Sequence, residues 1–187
     1  MYDNSELLPS TKPRKPAKRA VATKTINLAL QGGGAHGAFC WGVLDRLLED
    51  ERVSFEGVSA TSAGAMNATV MAFGMSQGGR EGAKTALANF WRRIAHAGLS
   101  SPLQPTALDR LSHNHGLDSS PAFMIFDLMS RLFSPYQFNP LNVNPLRDLV
   151  AKEIDFSRVQ ACTTMRVFVA ATDVTTGEAR VSSGNEL

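Results

Sequence analysis

A serine flanked by small residues where an apolar strand ends and a helix begins has the setting of an acyl-transfer nucleophile. The chain offers one in Ala60-Thr61-Ser62-Ala63-Gly64. The pattern departs from Gly-x-Ser-x-Gly only at Ala60, and Gly64 is retained. Such an elbow turns so tightly that the residues two before and two after the serine approach each other, which small side chains permit. Ser62 would also stand at the N-terminus of the following helix, whose dipole stabilises a developing alkoxide. The competing reading makes Ser62 or Thr61 a plain N-cap. A capping box does not account for the serine, because Ala65 stands where a Glu or Gln would be needed.

The second stretch is Gly32-Gly33-Gly34-Ala35-His36-Gly37, after the apolar run Ile26–Leu30 and before a helical pattern. Backbone N–H groups at a helix start bind anions and stabilise the oxyanion of acyl transfer. If both stretches lie at the C-terminal edge of one parallel sheet, serine and amides face the same point. The spacing Gly32-x-Gly34-x-x-Gly37 also fits a dinucleotide-binding loop, which expects an acidic residue at the end of the second strand. Here Glu56 falls at the start of that strand, and the strand delivers Ser62 instead. No Gly-Lys-Ser/Thr follows to make a phosphate loop. Dinucleotide binding therefore stays as a second alternative.

Together with Ala171-Thr172-Asp173-Val174-Thr175-Thr176-Gly177, these motifs resemble the patatin-like phospholipases, lipid acyl hydrolases, over about residues 25–187. The resemblance implies a Ser–Asp dyad: Ser62 as nucleophile, an oxyanion hole from the N–H groups of Gly32, Gly33, Gly34 and Ala63, and structural support from His36, Gly37, Ala60 and Gly64. It implies a lipid or phospholipid substrate and no cofactor. It places Asp173 in a structural turn. His36 stands where the family often has Arg or Lys, so a cationic role there would depend on pH. The family's aspartate sits in Asp-Gly-Gly or Asp-Gly-Ala, and the chain contains no Asp-Gly dipeptide. The expectation is an acyl hydrolase whose present chain is feeble or inactive. The alternative is a non-catalytic truncated fragment or lipid-binding module.

Composition fits this class. The length of 187 residues suits one domain with a sizeable core, and 43% hydrophobic with 19% charged residues is ordinary for an α/β protein. The net charge of +2 is uneven: residues 1–25 hold six basic and two acidic residues, the remainder thirteen and fifteen. Residues 1–24, with Pro9, Pro13 and Pro16, read as a basic disordered tail. A solvated leader is the plainer reading of that tail, and peripheral contact with an anionic membrane the sharper one. Nucleic acid is not an expected partner. Cys40 and Cys162 form no disulfide framework and read as small buried hydrophobes. His113-Asn114-His115 reads as a polar loop, and no metal-ligand spacing is present. No secretory or membrane-spanning run occurs, so the expected compartment is cytoplasmic.

The elements that must hold the motifs follow from periodicity. The first strand is Ile26–Leu30; the first helix carries Phe39, Val43 and Leu47 on one stripe with Leu44 and Leu48 beside it. An uncharged helix from Ala63 to about Phe73 should be buried nearly all round. A break at Ser76–Gly79 precedes a helix from about Gly82 to His96 with Leu87, Phe90, Trp91 and Ile94 inward and Arg92 and Arg93 as a solvated edge. Residues 98–121 read as a long loop and 122–133 as a lid or core helix. Asn144-Pro145 starts a helix with Leu146, Leu149, Val150 and Ile154 inward. Met165–Thr172 and Glu178–Ser182 read as paired strands, and 183–187 as no element. The expected fold is a three-layer α/β/α sandwich with a mostly parallel sheet, patatin-like and incomplete at the C-terminus, spanning residues 25–187.

Overall fold

The computed structural model describes residues 23–99 and 144–186. The tail, the loop with His113 and His115, and the 122–133 segment lie outside the described residues. Four strands form one sheet in the order β1-β2-β3-β4: β1 (Lys24–Leu30), β2 (Val53–Thr61), β3 (Arg166–Thr172) and β4 (Ala179–Ser183). β1, β2 and β3 are parallel and β4 closes an antiparallel hairpin on β3. This is the mostly parallel α/β sheet expected of the family. Helix α1 (Gly37–Glu49) connects β1 to β2, and α2 (Ala63–Leu99) leaves β2. Two short helices, α3 (Pro145–Glu153) and α4 (Phe156–Gln160), precede β3.

Both crossovers step the same way along the sheet, and right-handed connections then put α1 and α2 on one face. Burial agrees. Phe55, Val58, Ala60 and Val167 are buried against the helices, while Asn27, Ala29, Ser59 and Phe168 on the other face are exposed. The described residues thus supply two layers. A bulge explains the odd spacing of Phe55 and Val58: Ile26 pairs with Phe55 and Asn27 with Gly57, leaving Glu56 unpaired and exposed.

Within α1 the expected stripe is rotated. Gly37, Leu44 and Leu48 are buried, but Phe39 is 77% and Val43 47% exposed. The reason is Gly37. A Cβ there would lie 2.9 Å from Ala63 Cβ and 2.9 Å from the Trp91 ring, so this edge of α1 is pressed onto α2 and Phe39 turns outward.

The break at Ser76–Gly79 is real. Gly78 (φ −152°) and Gly79 (φ 59°, ψ −143°) leave helical geometry and divide α2 into two arms. The arms run antiparallel, because Gly74 meets Gly82 and Ala83 backbone to backbone, leaving no room for a side chain at either glycine. Leu87, Phe90 and Trp91 are buried as expected. Arg93 is not simply solvated: it pairs with Glu153 of α3 at 2.6 Å, and Arg92 donates to Asn89 Oδ1 at 3.2 Å. Arg80, at the start of the second arm, caps α1 by donating to the carbonyls of Leu47 (3.4 Å), Leu48 (3.2 Å), Asp50 (3.2 Å) and Val53. A cation on the carbonyl end of a helix is favourable, and its guanidinium also lies 5.5 Å from the Phe55 ring centre.

Asn144 caps α3 as the sequence predicts, accepting from the Arg147 N–H at 3.0 Å. Of the α3 side chains expected inward, Ile154 is buried, Leu149 and Val150 are half-buried, and Leu146 is 44% exposed. Helix α4, capped by Asp155, and a 3-10 turn at Gly184–Glu186 are not foreshadowed in the sequence. Both are too short to show a period. Cys40 and Cys162 are free and only half-buried. Among the described residues no helix is long and apolar enough to cross a membrane.

Candidate active site

Parallel pairing brings the two glycine-rich turns together. Leu30, the last residue of β1, pairs with Ala60 of β2, so the Gln31–Gly34 loop and the Thr61–Ser62 turn leave the sheet side by side. A Cβ on Gly32 would lie 2.9 Å from Ser62 Cβ and 3.5 Å from its Oγ. Only a glycine lets the loop approach the serine this closely. Gly64 is equally constrained, since a Cβ there would run into the carbonyl oxygens of Leu30 and Gln31.

Ser62 has φ 50°, the one non-glycine residue with positive φ among those described. An N-cap is usually in the extended region. A serine held in the left-handed region costs of order 1–3 kcal/mol, which fits a strained elbow and not a simple cap. Its carbonyl accepts the Met66 N–H at 3.2 Å, the first bond of α2. Ala63 follows at the first position of that helix, where N–H groups have no partner within the helix.

The glycine loop is fixed from below. Gly33 (φ 154°) and Gly34 (φ 55°) adopt backbone that side chains rarely allow, and 34–36 form a 3-10 turn. The Gly33 carbonyl accepts the His36 N–H at 3.1 Å and also its ring, which requires the Nδ1–H tautomer, at 3.1 Å. His36 is exposed and braces the loop in this way. The N–H groups of Gly33 and Gly34 have no acceptor among the described residues.

Beneath the loop lies a polar clamp that the motifs do not announce. Asn67, fully buried, donates through Nδ2 to the Gly37 carbonyl at 2.9 Å and accepts the Trp91 Nε1–H at 2.8 Å. It ties the start of α1 to both arms of α2. The one signal for it in the sequence is an amide in an uncharged, mostly apolar helix start, AGAMNATVMAF.

Beside Ser62 opens a cavity of about 270 Å³, floored by Ala63 and Met66 and walled by Phe90, Trp91, Ile94 and Leu146. Gly34 and Ala35 form its rim on the loop side. Periodicity marks the wall residues only as core and helix-stripe positions.

Asp173 sits at the same sheet edge, three residues beyond Ala170, the partner of Thr61. Its carboxylate accepts the N–H groups of Thr175 at 2.8 Å and Thr176 at 3.2 Å. Those donors hold its pKa below the usual carboxylate range. It shapes the turn to β4 together with Gly177 (φ 76°) and is poorly suited to take a proton.

A family model described as patatin-like phospholipase matches residues 28–186. No curated protein matches the chain. A solved structure similar to it is that of the heterodimeric ExoU–SpcU complex of the type III secretion system from Pseudomonas aeruginosa, at 17% identity and a TM-score of 0.36. That match covers 88% of this chain and 34% of the other, so the chain spans about a third of the length of that structure.

Proposed function

The chain belongs to the patatin-like phospholipase family, and from that premise we propose that it carries the nucleophile half of a lipid acyl hydrolase site. Ser62 Oγ attacks an ester carbonyl. The carbonyl oxygen becomes an oxyanion facing the N–H groups of Gly32, Gly33 and Gly34, with Ala63 at the helix start adding a fourth donor. The tetrahedral centre expels the alcohol, which takes up the proton lost by Ser62. Water then adds to the acyl-serine and releases the fatty acid.

One observation carries this reading: a left-handed serine lies against a glycine that has no room for a side chain, in a loop with uncommitted amides. The dinucleotide reading weakens on the same ground, because Gly32 is pressed against the Ser62 side chain and does not face open space. A dyad aspartate in an Asp-Gly motif is not among the 187 residues, and Asp173 is committed to its turn. We therefore expect feeble turnover from this chain. The apolar cavity beside Ser62 also fits a second reading, a lipid-binding module that holds an acyl chain without cleaving it.

Reaction with a short alkyl fluorophosphonate, followed by peptide mapping, separates the two. The acyl-hydrolase reading expects slow but specific modification of Ser62, abolished in Ser62→Ala. Modification elsewhere, or none at all, would favour the binding module.

A further inference from the structure

We infer that Trp91 is the acyl-length gauge of the cavity beside Ser62, and that the site takes acyl groups of about ten carbons and not the long chains of bulk membrane lipid. The inference rests on the acyl-hydrolase reading for what enters the cavity, and goes beyond it in stating how much of the chain fits.

The cavity is of about 270 Å³. A cavity of roughly 150 Å³ accommodates benzene, about 25 Å³ per carbon, so the volume here suits about ten carbons. Among the described residues the lining is apolar apart from the serine itself, as an alkyl chain requires.

The wall that limits the chain must also resist being pushed aside, and Trp91 is held on three sides. Its Nε1–H donates to the buried Asn67 at 2.8 Å. Its ring edge lies against Gly37, where a Cβ would approach within 2.9 Å. Phe90 packs edge-to-face against it, with ring centres 5.7 Å apart and planes at 81°. Swinging the indole away would leave Asn67 Oδ1 buried and unpaired, a cost that keeps the ring in place. Leu146, which also lines the cavity, is 44% exposed and has no hydrogen bond or ring contact of this kind among the described residues. The rigid boundary is therefore Trp91.

The test is equilibrium binding of saturated fatty acids from hexanoate to palmitate, followed by calorimetry, to the 187-residue chain and to Ser62→Ala. Affinity should rise about fourfold per methylene up to about ten carbons and then level off. In Trp91→Ala the levelling should move several carbons longer. In Ile94→Phe, which narrows the cavity without disturbing Asn67, it should move about one carbon shorter. Affinity that climbs without a break to palmitate, a break unmoved in both variants, or no binding of decanoate would overturn the gauge. Fluorophosphonate labelling of Ser62 in the same preparations reads the nucleophile assignment, so its failure and failure of the gauge are told apart.

Discussion

Gly64→Ala is expected to destabilise the protein by about 3 kcal/mol or more, far beyond a usual glycine-to-alanine change in a helix. The new methyl would meet the backbone carbonyl oxygens of Leu30, held in the β1–β2 ladder, and of Gln31, the next residue along the chain. Neither side can yield without pulling the first turn of α2 off the sheet. Gly42→Ala is the matched control. It lies in α1 with nothing within 4 Å of the added methyl, so it should be neutral or stabilising by roughly 0.5–1 kcal/mol. Urea midpoints of the two variants check this. Equal midpoints would mean that the elbow does not depend on the contact between the helix start and the end of β1.

Gly34→Val should leave the fold standing and disable the loop. No atom lies within 4 Å of a Cβ there, so the variant meets no clash, but φ 55° is strained for a β-branched residue by about 1–2 kcal/mol. The cheapest relief is for the loop to rotate, carrying its N–H away from the position beside Ser62. Removing one oxyanion donor typically lowers turnover about 100- to 1000-fold, and the rate of Ser62 phosphonylation should fall on that scale with little change in thermal stability. An unchanged rate would remove the Gly34 amide from the oxyanion hole. Were the loop a dinucleotide site, Gly34→Val would abolish nucleotide binding, and Ser62→Ala would leave it intact.

The local chemistry is legible in the sequence because it is written in short, contiguous motifs. Gly32, Gly34, Ser62 and Gly64 announce turns that only small or strained residues make, and two parallel strands are enough to bring them to one edge. Periodicity likewise marks the break at Gly78 and Gly79 and the buried positions Leu87, Phe90 and Trp91. The orientation of α1 is not legible. Phe39, Val43 and Leu47 form as good a stripe as Leu44 and Leu48, and which one turns inward is decided by Gly37 meeting Ala63 and Trp91, a contact between distant residues. The Asn67–Trp91 bond and the Arg80 cap are hidden for the same reason, since each joins residues more than twenty positions apart. The cavity beside Ser62 belongs to this class too: its lining comes from the glycine loop, a helix start, a second helix arm and α3.

The central claim is that the Ser62 hydroxyl and the amides of the glycine loop address the same carbonyl. A crystal structure of the alkyl phosphonate adduct tests it most directly. Phosphorus is expected bonded to Ser62 Oγ, with the phosphoryl oxygen within hydrogen-bonding distance of the Gly33 and Gly34 N–H groups and the alkyl chain in the cavity beside Ser62. A phosphoryl oxygen turned away from the loop, with the amides bonded to other partners, would contradict it.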